Sequence, residues 1–291
     1  NSTIRMNGTG DGYNGINVTS TGWLIINDSS NITNGDNSAA EYFFVVQSSS
    51  NFSMENSYLS ECGWNDVVNE NYGLKIYSNR SIFKNNYLTN NYYGVLFFSN
   101  NNIIENLNIN NSDVGIRFQN SNYNNITNIS ILNTEYPIST WFFSFNLIEN
   151  ILINNSVTGI SFMLSHNNTI QNIDIYNVEN GFSTSNAENN IIKNFYSENS
   201  TLNGLYLYNM KNNFITNITI INSNDSGIYL NNAENNNLTH LTLENNKYGI
   251  KINFIVINNS IYSSNITNNS LAGIYIGSSG GDSENNRFNN N

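Results

Sequence analysis

Residues 101–118 read Asn-Asn-Ile-Ile-Glu-Asn-Leu-Asn-Ile-Asn-Asn-Ser-Asp-Val-Gly-Ile-Arg-Phe, and three short apolar-polar alternations lie inside them. Ile104 stands two residues from Asn106, Ile109 two from Asn111, and Ile116 two from Phe118. A period of two sends alternate side chains to opposite faces of an extended chain and does not fit the 3.6-residue period of a helix. The stretch predicts three short strands separated by corners.

The same reading recurs along most of the chain. A Gly-hydrophobic step appears at Gly73-Leu74, Gly94-Val95, Gly115-Ile116, Gly159-Ile160, Gly181-Phe182, Gly204-Leu205, Gly227-Ile228, Gly249-Ile250 and Gly273-Ile274, with Pro137-Ile138 in the gap. Successive steps are 21–24 residues apart. Repeats of three strands that stack at about 4.8 Å predict an all-β fold, a single-stranded right-handed parallel β-helix of about eleven coils. A leucine-rich repeat shares the period but has one strand and one Asn column per unit. A left-handed β-helix needs a hexapeptide period, which is absent.

Written as columns, the repeats stack like with like. Ile104, Ile126, Ile148, Ile170, Ile192, Ile215 and Leu238 form one apolar column, and Ile109, Ile131, Ile153, Ile175, Ile220 and Leu243 another. Asn106, Asn128, Asn150, Asn172, Asn194 and Asn217 form a polar column that ends at His240; Asn90, Asn111, Asn133, Asn155, Asn177, Asn199, Asn222 and Asn245 form a second. Sharing the alternation phase of their apolar neighbours, these Asn are expected to point inward as internal amide ladders. The recurring Gly is expected to supply positive φ at a corner, and Pro137 a locally different corner.

Asn accounts for 70 of the 291 residues, yet 38% of the chain is hydrophobic and 13% aromatic, enough apolar surface to fold. A formal net charge of −11 with only 11% charged residues excludes nucleic acid and anionic lipid as partners. Cys62 is alone, so a disulfide framework and a Cys-based zinc site are excluded, and it reads as a buried small hydrophobe. No stretch approaches 18 apolar residues, so no membrane insertion is expected of this chain. A start at Asn1 without Met, together with abundant Asn-x-Ser/Thr triplets, leads to an expectation of extracellular, cell-surface location after loss of a leader. Asn125, Asn154, Asn167, Asn224, Asn237, Asn258 and Asn268 are the glycosylation candidates, whereas Asn128, Asn199 and Asn217 are expected inside and unmodified.

The segments Asn-Asn-Ile-Ile-Glu-Asn (101–106), Asn-Asn-Ile-Ile-Lys-Asn (189–194) and Asn-Asn-Phe-Ile-Thr-Asn (212–217), each followed by Gly-hydrophobic-x-hydrophobic, resemble the repeats of NosD-type proteins. They also resemble those of archaeal surface-layer and adhesin-like proteins and, more distantly, the pectate-lyase-like superfamily. That resemblance implies the fold; the fold itself hosts lyases, hydrolases, tailspikes, adhesins and shell proteins.

The search for chemistry follows the outward positions. On the third strand they read Lys75, Leu96, Arg117, Ser139, Ser161, Ser183, Tyr206, Tyr229, Lys251 and Tyr275, with no carboxylate. On the first strand Glu105 and Glu149 lie two coils apart, about 9–10 Å, near the upper end of the separation in inverting glycosidases. An outward Glu that only deters lateral aggregation is the simpler reading, and the chain is expected not to be an enzyme. His166 lacks a second metal ligand. Asp11 in the Gly-rich Asn7–Gly12 turn offers the one candidate for calcium; otherwise no cofactor is expected. Tyr206, Tyr208, Tyr229 and Tyr275 form a candidate contact stripe for glycans or another subunit.

Residues 1–47 depart from the repeat and read as an irregular N-terminal coil or cap, followed by parallel β-helix repeats over 48–291. Residues 285–290 begin a further coil that ends without a cap, so self-association through that end is expected. The resulting expectation is a rigid surface-layer, filament or adhesin component; the alternative is a carbohydrate-binding or carbohydrate-cleaving β-helix.

Overall fold

The computed structural model describes residues 2–6, 14–35, 42–65, 72–277 and 283–289. They form a right-handed parallel β-solenoid of about nine turns without a helix. The early coils are longer than the repeats that follow. Ile4 pairs with Ile32, Leu24 with Phe52 and Phe44 with Leu74, steps of 28, 28 and 30 residues (32 − 4, 52 − 24, 74 − 44). Residues 3–46 therefore supply strands to the same sheets as the later repeats. The chain divides into two compact units, Asn1–Ser139 and Thr140–Asn291.

In the first unit, strands Ile103–Asn110 and Asn125–Leu132 pair in register, Ile104 on Ile126 and Ile109 on Ile131. Strands Tyr93–Phe97 and Val114–Asn122 pair in the second sheet, where the Phe97 and Phe118 rings stack at 5.4 Å. In the second unit, Ile148, Ile170, Ile192, Ile215 and Leu238 make one unbroken buried column. The apolar columns read from sequence are thus the core of each unit.

Three expectations need correction. Each regular coil has two strands rather than three, because the first two segments join through a single residue in the left-handed region: Asn106 at φ 54° lies within Ile103–Asn110. That residue breaks the alternation, so Asn106, Asn128, Asn150, Asn172, Asn194, Asn217 and His240 are exposed instead of inward. Asn90, Asn111, Asn133, Asn155, Asn177, Asn199, Asn222 and Asn245 are likewise left-handed and exposed. Asn tolerates this conformation better than most residues because its short polar side chain bonds locally.

The recurring Gly is the second correction. Among the described glycines only Gly63 and Gly73 have positive φ. Most of the others are needed for closeness: a Cβ on Gly94 would stand 2.5 Å from the Gly115 carbonyl oxygen, and one on Gly115 2.5 Å from that of Pro137. The third concerns Pro137, where strand Tyr136–Ser144 runs on without the expected change.

The inward amide ladder exists one register away. Asn102 donates through Nδ2 to Asn124 Oδ1 at 2.8 Å in the first unit. In the second, Asn146, Asn168, Asn190, Asn213, Asn236 and Asn259 each donate to the next at 2.9–3.1 Å, ending on Asn286. Each of these donors is at most 4% exposed.

Candidate functional site

The exposed left-handed column of the second unit is the floor of a shallow groove. Asn172 donates to Asn150 at 3.0 Å, Asn194 to Asn172 at 2.9 Å and Asn217 to Asn194 at 3.1 Å. One wall is the register column Leu152, Asp174, Tyr196, Thr219, Thr242 and Asn265. On the other side of the Asn row runs the register column Glu149, Gln171, Lys193, Thr216 and Thr239. Two hollows of about 450 and 490 Å³ share Asn194, one beside Asp174 and the other reaching His240 and Asn265.

The groove arises from the fold described above. Each left-handed Asn turns the strand outward between two inward apolar residues, Ile192 and Phe195 around Asn194, so the corner is rebuilt identically on every rung. A carboxamide has two N–H donors and two acceptor lone pairs. At Asn194 the ladder uses one of each and leaves one of each, whereas Asn172 also donates to Glu149; the row repeats at about the 4.8 Å strand spacing.

Asp174, Tyr196 and His240 line the hollows, and Tyr176 and Glu198 interact with the lining. Burial, then the hydrogen bond to Glu198 at 2.8 Å and its charge, push the Tyr196 phenol up to about 12. Tyr176, whose ring lies 5.5 Å from that of Tyr196, is raised by burial and then by Asp174 and Glu198. His240 Nδ1 lies 2.9 Å from the Thr239 hydroxyl. Tyr196, Asp174 and Glu198 escaped the sequence census because it covered the outward positions of only the first and third segments. The second-segment column carried the signal.

The candidate residues fall as follows. Glu105 is engaged by Lys84 at 3.0 Å, and Glu149 accepts from Gln171 and Asn172, so each carboxylate is held within its own unit. Tyr206 stacks on Tyr229 at 5.2 Å, while Lys251 lies over Tyr229 and donates to Asp225 at 2.9 Å; Tyr275 stacks on Tyr248. Tyr208 is half-buried beside Asn231. The stripe's rings therefore pack on neighbours along the sheet. Glycosylation candidates Asn125, Asn167, Asn224, Asn258 and Asn268 are exposed, and Asn154 and Asn237 half-buried. Asn128, Asn199 and Asn217, expected inside, are exposed as well. Asp11 lies outside the described residues.

A further cluster in the first unit also escaped the census. Tyr72, Tyr92 and Tyr93 stack, and Arg117 donates to the Tyr93 hydroxyl at 3.1 Å. Asp113 and Glu135 stand on successive rungs in the turn before the strand, a position the outward columns omit.

A solenoid with this repeat and ladder defines a class, the right-handed parallel β-helix proteins. The profile of one family, described as "Periplasmic copper-binding protein (NosD)", matches residues 134–291, and the chain belongs to that family. No curated protein matches its sequence. Among solved structures, the periplasmic alginate epimerase AlgG aligns with TM-score 0.68 and 12% identity, over 93% of this chain and 69% of that one. The receptor-binding domain of the siphovirus 9NA tailspike aligns with TM-score 0.54 and 10% identity, over 100% of this chain and 72% of that one. The catalytic domain of a GH87 α-1,3-glucanase reaches TM-score 0.45 and 13% identity, over 94% of this chain and 62% of that one, a likeness too distant to bear on function.

The expectation that the chain is not an enzyme is corrected on this ground. An epimerase is built on the same solenoid, and the missing carboxylates were sought on two outward columns only, whereas Asp174, Glu198, Asp113 and Glu135 lie elsewhere. The family description also raises copper. Soft donors here are Cys62, Met54 and Met210, all fully buried, with Met6, Met163, His166 and His240. His166 Nδ1 accepts from the Glu188 backbone N–H, and His240 sits in the groove at another corner. Among the described residues no three His, Cys, Asp or Glu side chains group to hold a metal, so these residues do not fit copper. Among the described residues, no helix is long and apolar enough to cross a membrane.

Proposed function

We propose that the chain is an exported polysaccharide-binding β-solenoid whose ligand lies lengthwise in the groove floored by Asn150, Asn172, Asn194 and Asn217. One observation carries the reading: an exposed carboxamide row repeats rung by rung at a spacing close to the length of a pyranose unit. A glycan running along the axis meets a carboxamide at every sugar. Half-exposed Tyr196 adds a ring that combines apolar body and polar tip, suited to a sugar face. The net charge of −11 favours a neutral glycan over a polyanionic one. Export fits the periplasmic description of the family, and placement at the cell surface is part of the same proposal.

The test is affinity electrophoresis through gels containing laminarin, xylan, mannan, alginate or polygalacturonate, with reducing ends and unsaturated products assayed in the same samples. At least one polysaccharide retards the wild-type chain, and Thr219→Trp, which fills the groove, abolishes that retardation while leaving the melting temperature in place. Retardation unchanged by Thr219→Trp sinks the reading. Product formation identifies turnover as well as binding.

A further inference from the structure

Bulky residues occupy left-handed positions at two places in the second unit, one around Phe142 and the other at Phe254, whose φ is 57°. Phe142, Phe145 and Leu164 have φ of 52°, 60° and 51°. An apolar side chain gains nothing from this conformation and clashes with its own carbonyl. Most equivalent positions on later rungs are Asn. In Leu164's column they are Asn186, Asn209 and Asn232 before Phe254; in Phe145's column they are Asn167, Asn189, Asn212, Asn235 and Asn258, each donating its backbone N–H to the next rung as Phe145 does. The solenoid can therefore build this corner from Asn, and here it departs from Asn on successive rungs.

The departure is exposed. Trp141 and Phe142 stack at 5.5 Å with an interplanar angle of 16°, exposing 37% and 45% of their surfaces; Phe145 exposes 52% and Met163 45%. The residue between them, Phe143, is fully buried and holds the strand in place. Along the same corner, later rungs form a hollow lined by Asn186, Asn209, Asn232, Glu188, Lys211 and Glu234. Asn209 donates there to Asn186 at 2.9 Å, and Lys211 is neutralised by Glu234 at 3.0 Å.

We infer that Trp141, Phe142, Phe145 and Met163 form a second sugar-binding site, an aromatic platform on which a pyranose ring of a neutral glycan stacks. Flat, half-exposed aromatic rings match the apolar C–H face of a sugar. The amide-lined hollow along the same corner supplies hydrogen bonds for the rest of the chain, and its paired charges favour a neutral ligand. Left-handed strain on exposed aromatic residues is retained where function requires it. The site extends the polysaccharide reading to another corner, and it has a separate readout.

The experiment uses the full chain carrying Trp23→Phe and Trp64→Phe, so that Trp141 is the one indole, with the same five polysaccharides as probes. A polysaccharide that retards the chain shifts Trp141 emission. Phe142→Asn with Phe145→Asn weakens that binding tenfold or more while the melting temperature holds or rises, because Asn suits the left-handed backbone. Trp141→Ala gives the same loss of binding. Several outcomes overturn the platform: no polysaccharide bound, binding unchanged in the Asn variants, a lowered melting temperature in them, or a concentration-dependent dimer that they abolish. The last would mark a contact between copies. Loss of binding in Thr219→Trp alone leaves the groove reading standing and removes the platform; loss in the Asn variants alone does the reverse.

Discussion

Asn190 gives Asn213 two hydrogen bonds through a single acceptor: its backbone N–H reaches Asn213 Oδ1 at 2.8 Å and its side-chain Nδ2 reaches the same oxygen at 3.1 Å. Both residues are at most 2% exposed, so no water stands ready to replace a lost partner. Asn213→Ala strips the acceptor from both donors, and leaving buried donors unmade costs about 3 kcal/mol at ~1–3 per group. The exposed ladder behaves differently. Asn194→Ala loses bonds that water can remake and retains mainly the left-handed backbone penalty, about 1 kcal/mol. Urea unfolding of the two variants checks the contrast; equal losses would mean that the outer ladder is as structural as the inner one.

Gly94 and Gly273 occupy the same position in different coils with different surroundings. A Cβ on Gly94 meets the Gly115 carbonyl oxygen at 2.5 Å, whereas the nearest atom for Gly273 is the Ile266 Cγ2 at 3.4 Å. Gly94→Ala must push two rungs apart and is expected to cost ~1–3 kcal/mol. Gly273→Ala fits and restricts the unfolded chain, so its effect lies between neutral and a gain of roughly 0.4–1 kcal/mol. Matched melts of the pair decide whether rung spacing or φ selects glycine here.

Lys251 and Lys247 both face Asp225, at 2.9 and 3.8 Å. Lys251 is 22% exposed and lies over the Tyr229 and Tyr248 rings at 5.4 and 5.2 Å; Lys247 is 45% exposed and lies over Tyr248 alone at 5.4 Å. A half-desolvated cation on two rings adds to its ion pair, so Lys251→Ala costs about 1 kcal/mol. Lys247→Ala changes stability by less than ~0.5 kcal/mol, as expected of an exposed pair. Comparable losses from the two in chemical denaturation would remove burial and the second ring, Tyr229, from the account.

The repeat, the parallel stacking and the apolar columns were legible because period-2 alternation and a 21–24-residue recurrence survive in the bare sequence. The direction of the Asn columns was not. One left-handed residue shifts the phase of everything after it, so Asn106 shares its parity with Ile104 and yet points out, while Asn102 points in. The doubled Asn-Asn before each strand held the clue, since its second member is the buried one. The groove stayed hidden for the same reason: it forms on the columns assigned to the interior. Asp113 and Tyr196 lay on columns that strand-by-strand reading passed over.

Asp113 provides a test with a defined sign. Burial raises its carboxyl pKa above the ordinary 3.8, and the charge of Glu135 on the next rung raises it further. A folded-state pKa above the unfolded value means that the folded chain holds the proton more tightly. The stabilising contribution is fully present below pH 3.8 and is lost as pH rises through the folded value, so at neutral pH the ionised carboxylate works against the fold. Asp113→Asn is expected to raise the melting temperature at neutral pH, with the advantage shrinking as pH falls toward 3.8. Glu135→Gln removes only the second cause and gives a smaller rise. A lower melting temperature for Asp113→Asn at neutral pH would show instead that the ionised carboxylate makes a favourable contact, and Arg117, the cation of the tyrosine cluster, would be the first partner to examine.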